Sequence, residues 1–169
     1  MLRKILPLIL FILLFALLIV GFSMKDRMNN YLGTMMKTQA PPEITHSGNA
    51  LVDSLYNYSA NGLNYEITFL EFGAKGCSAC KSMERVMEEM QSKYPGRVNV
   101  VFMNILKPES QNLMKLYGIV AIPTQVILDK NGKEFFRHTG YISTQELSKQ
   151  INEHGVKNQT MGHVFDEMK

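Results

Sequence analysis

The stretch Thr68-Phe69-Leu70-Glu71-Phe72-Gly73-Ala74-Lys75-Gly76-Cys77-Ser78-Ala79-Cys80 decides the fold. Thr68 to Phe72 is an apolar run interrupted by one acid and reads as a strand. From Ser82 to Lys93, Met83, Val86, Met87 and Met90 recur at helical spacing, with Glu84, Arg85, Glu88 and Glu89 mostly on another face. The chain's two cysteines, Cys77 and Cys80, lie where strand gives way to helix.

A thiol at a helix N-terminus faces unpaired backbone N–H groups and the positive end of the helix dipole, which favour thiolate over thiol. Cys77 is therefore the candidate nucleophile. Cys80 returns toward it after about one helical turn, close enough to close a small disulfide ring. It is the candidate resolving thiol, which would attack the mixed disulfide that Cys77 forms with a substrate. A purely structural disulfide over so short a loop would remove little unfolded-chain entropy. A zinc site would need further ligands, and His46, His138, His154 and His163 are scattered without ligand spacing. No metal is expected, and no cofactor other than the redox-active Cys77–Cys80 disulfide.

Working outward, Ile5 to Phe22 carries no charge and follows Arg3 and Lys4. That is about the minimum length that spans a bilayer's hydrocarbon core. Residues 1–23 are expected to be a membrane anchor with a cytoplasmic N-terminus, the alternative being a cleaved secretory signal. Residues 24–48 are polar, contain Pro41-Pro42, and read as a linker. Residues 49–154 are of the right size for one compact domain, and 155–169 read as a tail with at most a short helix. The net charge of +3 is dispersed among acids, so no nucleic-acid partner is expected.

Inside the domain, Leu51 to Tyr58 suggests a first helix and Val98 to Ile105 a buried strand. Pro108 to Tyr117 reads as a short helix stopped by Gly118. Asp129-Lys130-Asn131-Gly132 separates two apolar runs and predicts a hairpin. Ser143-Thr144-Gln145-Glu146 has the form of a capping box opening a last helix to about His154. The order β, α, β, α, β, β, α predicts a mixed sheet with helices on its faces.

Several separated motifs, in order, resemble the thioredoxin superfamily. Phe69 to Ala74 is similar to its strand leading into the active site, and Tyr117-Gly118-Ile119-Val120-Ala121-Ile122-Pro123-Thr124 to its cis-proline loop. Asn131-Gly132, Gly140 and the Ser143 cap resemble its closing hairpin and last helix. The similarity covers about Leu51 to Ile151 and implies an α/β thioredoxin fold, a central mixed β-sheet flanked by helices. It also implies that Pro123 is cis and faces the cysteines, and that the Ile122 backbone pairs with an extended substrate segment. With Gly76 and Ser78, which flank Cys77, these are the expected substrate-binding residues.

Glu71 stands where the family carries a buried acid. Strand alternation points it to the same face as Phe69, where its pKa should rise and where it could exchange a proton with Cys80. Gly76 replaces the Trp usual before the first cysteine, and Ser78-Ala79 the usual Gly-Pro, which leaves the redox potential open. The chain is more similar to thioredoxin-like proteins tethered on the outer face of a membrane, of the TlpA-like kind, including partners of DsbD/CcdA-type electron carriers. The resemblance implies a membrane-anchored extracytoplasmic thiol-disulfide oxidoreductase on a bacterial inner membrane, its soluble domain in the periplasm or otherwise outside the cytoplasm. Ser78-Ala79 offers no cation to stabilise a strongly oxidising thiolate, so the expected direction is reduction of substrate protein disulfides. Disulfide formation or isomerisation, and a thioredoxin-fold binding module without turnover, stay open as alternatives.

Overall fold

The computed structural model describes residues 2–166, with side chains described for 6–21, 23–24 and 27–155. The elements run α1 Leu2–Ser23, α2 Lys25–Gln39, α3 Pro42–Tyr56, α4 Tyr58–Asn61, β1 Ile67–Gly73, α5 Ser78–Lys93, β2 Val98–Asn104, α6 Pro108–Leu116, β3 Thr124–Leu128, β4 Glu134–Thr139 and α7 Thr144–Asp166.

The four strands form one sheet in the order β2-β1-β3-β4. β1 is parallel to β2, the two joined by the crossover helix α5, and antiparallel to β3; β4 returns antiparallel to β3. All seven residues of the central strand β1 are buried. Its alternation feeds two cores. Phe69 packs with Met83, Val86 and Met90 of α5 and Leu147 and Ile151 of α7. Leu70 and Phe72 pack on the opposite face with Val52 and Tyr56 of α3 and Leu113 of α6. Phe69, Leu70 and Phe72 are wholly buried, each a contribution of about 2–3 kcal/mol.

Local signals act as expected at the hairpin and the last helix. Gly132 takes a φ of +75° and donates to Asp129 O at 3.0 Å. At the start of α7, Ser143 Oγ accepts from the Glu146 N–H at 3.3 Å and Glu146 Oε2 accepts from the Ser143 N–H at 3.2 Å, the reciprocal geometry of a capping box.

Four expectations change. The stretch read as a linker is helical: α2 and the first part of α3, residues 42–48, lie within it, and α3 begins at Pro42 rather than at Leu51, with proline at a first-turn position where its missing N–H costs nothing. α2 docks on the domain because Gly33 brings its backbone against Gly118. A Cβ at Gly33 would meet Gly118 O at 2.7 Å, and Lys37 Nζ reaches Glu134 Oε2 at 3.3 Å. β2 is the edge strand rather than a buried one, which leaves Phe102 41% exposed. α7 continues to Asp166, beyond the expected stop near His154, as extending a formed helix costs far less than nucleating one.

α1 is a helix over the expected anchor, and its side chains from 6 to 21 are exposed. Among the described residues no helix is long and apolar enough to cross a membrane. The span expected over Ile5–Phe22 includes two residues, 5 and 22, whose side chains lie outside the described set.

Candidate active site

β1 ends at Gly73 and a short loop with Gly76 in the left-handed region, φ +88°, delivers Cys77 to the residue just before α5. Cys77 is the N-cap of that helix, its sulfur accepting from the Cys80 N–H at 3.2 Å. That N–H has no partner inside the helix, so the helix start supplies a donor aimed at the sulfur. Cys77 and Cys80 are joined by a disulfide, with Cα atoms 5.2 Å apart. Cys77 is half-buried, whereas Cys80 is 4% exposed, so an incoming thiol meets Cys77 first.

A groove of about 570 Å³ runs beside the pair, lined by Gly76, Cys77, Ser78 and Cys80 and floored by Met87 and Phe102. Lys75, Lys81 and Glu84 also line it. The cis-proline loop closes the other side of the sheet end. Ile122–Pro123 is cis, and Pro123 O accepts from Gly140 N at 2.8 Å while Thr124 Oγ1 donates to Ala121 O at 2.8 Å. The β1–β3 register pairs Phe72 with Thr124, and its continuation sets Pro123 across from Gly73. Ile122 and Pro123 thus lie at the cysteine end of the sheet but do not line the groove that Gly76 and Ser78 share with Cys77.

Glu71 is wholly buried. It lies two residues before Gly73 on the same face, about 7 Å along the strand. A Cβ built on Gly73 would sit 3.4 Å from Cys80 Sγ and nearer still, 2.8 Å, to the Phe102 ring. Glu71 is therefore one pleat beneath the resolving sulfur. Across the ladder it faces Phe102 on β2 and Gln125 on β3. Burial pushes its carboxyl up to about 8, against a smaller lowering pull from the nearby Gln125 amide. The two side chains stop short of hydrogen-bonding geometry: among the described residues, both oxygens of Glu71 and both polar atoms of Gln125 are without a partner. Each such group costs about 1–3 kcal/mol.

Phe102 and Gln125 are site neighbours that the sequence reading did not single out, while Met87, read there as part of the core-facing stripe of α5, packs partly against the core and also lines the groove. A lone amide in the apolar run Thr124-Gln125-Val126-Ile127-Leu128 was the available signal for Gln125. His138, opposite Gln125 on β4, bonds through Nε2 to Tyr141 O at 3.1 Å, and His154 stacks on Phe135 with centroids 3.7 Å apart.

The thioredoxin-like domain family matches residues 54–155, which takes in the cysteine pair, the cis-proline loop and Glu71. The chain belongs to the thioredoxin-like family. Thioredoxin 2 of Chlorobaculum tepidum is 30% identical over 99 residues, 58% of this chain and 88% of that protein. The chloroplastic thioredoxin-like protein HCF164 of Arabidopsis thaliana is 26% identical over 106 residues, 59% of this chain and 41% of that one. A solved malaria-parasite thioredoxin-2, described as a component of protein secretion machinery, is 26% identical with a TM-score of 0.49, covering 56% of this chain and 96% of its own. This thioredoxin-like protein is a thiol-disulfide oxidoreductase carrying the close Cys77–Cys80 pair that such chemistry uses.

Proposed function

We propose that this thioredoxin-like protein is a membrane-anchored extracytoplasmic reductase of substrate protein disulfides. The observation that carries the exchange chemistry is the asymmetry of the pair: Cys77 half-exposed at a helix N-terminus with an N–H on its sulfur, Cys80 buried behind it. In the reduced protein, the Cys77 thiolate attacks a substrate disulfide, one substrate sulfur leaves, and Cys80 then attacks the mixed disulfide, releasing the second sulfur and re-forming Cys77–Cys80.

Ile122 supports the substrate-binding assignment, because its backbone N–H and C=O make no hydrogen bond among the described residues, which leaves them available to pair with an extended segment. Gly76 and Ser78 border Cys77 in the groove and leave the sulfur approachable. Glu71 serves as the proton partner of Cys80: it is buried one pleat below that sulfur with a carboxyl that ionises near neutral pH.

The anchor rests on the uncharged sequence run Ile5–Phe22 and on the exposure of every described side chain within it. An anchored reductase in an oxidising compartment must be recharged, which requires a membrane electron donor of the DsbD/CcdA type. Apocytochrome c thiols and misoxidised exported proteins fit as substrates. No resident cofactor is needed, since the disulfide carries both electrons.

The test is the equilibrium reduction potential of Cys77–Cys80 in the full chain, titrated against glutathione or dithiothreitol. A value near that of thioredoxin, about −270 mV, is expected; one near DsbA, about −120 mV, would make the protein a disulfide-forming oxidant instead.

A further inference from the structure

Glu71 and Gln125 are paired across the β1–β3 ladder, wholly buried, and hold four unpartnered polar atoms between them. Such a concentration of unmade hydrogen bonds is costly to keep, and of the two residues paired with Glu71 across the sheet, Phe102 and Gln125, only Gln125 is polar. Residues directly opposite on adjacent strands have Cβ atoms about 4.5–5.5 Å apart, so small rotations of the two side chains bring carboxyl and amide together.

We propose that Gln125 is the positioning residue for Glu71, serving its protonated and ionised forms in turn as the carboxyl exchanges a proton with Cys80. This deepens the proton-partner reading given above and rests on it. The chemistry of the amide is what qualifies it. A protonated carboxyl is a donor and a carboxylate only an acceptor, and a glutamine offers both an acceptor oxygen and an NH₂ donor. Leu, Met or Phe could fill the same volume and serve neither form.

The step balances as follows. When a donor thiolate attacks Cys77 Sγ, the donor–Cys77 bond forms, the Cys77–Cys80 bond breaks, and the Cys80 thiolate takes the proton of the Glu71 carboxyl. The carboxylate left behind accepts from the Gln125 NH₂. The donor's second thiolate attacks its own sulfur bonded to Cys77, which closes the donor's disulfide and frees Cys77 as a thiolate; Cys77 then attacks a substrate disulfide, the Cys77–substrate bond forming as one substrate sulfur leaves. When Cys80 attacks that mixed disulfide, its proton returns to Glu71, Cys77–Cys80 re-forms and the second substrate sulfur leaves as a thiolate. Gln125 Oε1 then accepts from the carboxyl O–H. No proton crosses to solvent from this buried site.

The groups that could otherwise set the ionisation of Glu71 are few. Cys80 faces it from α5, and His138 stands one strand beyond Gln125 on β4. Lys75, Lys81 and Glu84 line the neighbouring groove. β2 contributes Phe102 at the facing position, while Met83 of α5 and Leu147 and Ile151 of α7 line this side of the sheet. Burial and the Gln125 amide are what move its carboxyl.

The experiment mixes the reduced full chain with an equimolar aromatic disulfide, dithiobis(nitrobenzoate), and follows release of the coloured thiolate from pH 5.5 to 9.5. The first release reports attack by Cys77, the second attack by Cys80. Gln125→Met removes the amide at nearly constant volume. It is expected to move the midpoint of the second phase up by about one pH unit, which slows that phase about tenfold at pH 7, and to leave the first phase unchanged. Gln125→Leu should behave alike, Gln125→Asn should move back toward the parent, and Gln125→Met should add nothing to Glu71→Gln. If Glu71→Gln alters the second-phase profile and neither apolar variant does, Gln125 is a packing residue and the proposal is overturned while the role of Glu71 stands. If Glu71→Gln itself leaves that profile unchanged, the proton-partner reading fails and takes the proposal with it.

Discussion

Glu71 binds its proton more tightly in the folded protein than in the unfolded chain, because burial raises its carboxyl to about 8 from an ordinary value near 4.5. Between those two pH values the native state carries the extra proton, so stability is fully present below about pH 4.5 and is lost as pH rises toward 8. The expected slope is on the order of 1 kcal/mol per pH unit across that window. Urea unfolding of the full chain at pH 5.5 and pH 8 is expected to show this loss, and Glu71→Gln to flatten it and to be the more stable of the two at pH 8. A parent protein with the same midpoint at both pH values would mean that Glu71 is hydrated or paired in solution. The cysteines and Glu71 were legible from sequence because each depends on a short local pattern: a Cys-x-x-Cys at a strand-to-helix junction, and an acid in phase with Phe69. Gln125 was not, since a single polar residue in a short strand looks the same whether it faces solvent or a carboxyl. Its meaning comes from the β1–β3 register, which joins residues 54 positions apart.

At the scale of elements, the hairpin, the capping box and the helix opened by Cys77 follow from residues within a few positions of one another, and these the sequence revealed. α2 does not. Met24 to Gln39 has the composition of a tether, and its helix is held by contacts no local pattern encodes: Gly33 on Gly118, Lys37 on Glu134, and the apolar Leu32, Met35 and Met36 across from Met114 and Val120. The exposed Lys37–Glu134 pair contributes little, about 0–1 kcal/mol. Close backbone packing at Gly33 is the determinant. Gly33→Leu, whose side chain would run into the Gly118 carbonyl, is expected to undock α2. Hydrogen exchange should then lose protection over residues 25–39 while β1 and β3 keep theirs. Protection retained in α2 would show that the helix rests on its apolar side chains alone.

For the whole molecule, the proposed anchoring makes a direct prediction. The full chain should float with phospholipid vesicles in a density gradient, and a chain lacking residues 1–23 should remain in the dense fraction with its Cys77–Cys80 potential unchanged. Flotation of the shortened chain would place the membrane contact elsewhere, on the exposed apolar residues of α2 such as Tyr31 and Leu32.

α1 ends at Ser23 and α2 starts at Lys25, so a single residue separates the proposed anchor from a helix already fastened to the loop that carries Pro123. A leash lets an enzyme sweep a volume; a bracket sets a height. On the proposed anchoring, the docked α2 would hold the disulfide in a thin layer at a set distance from the bilayer, and partners would be sorted by the altitude of their cysteines before any side chain is read. Membrane-bound partners of matching stature would gain a large effective concentration, while taller or shorter ones would be passed over.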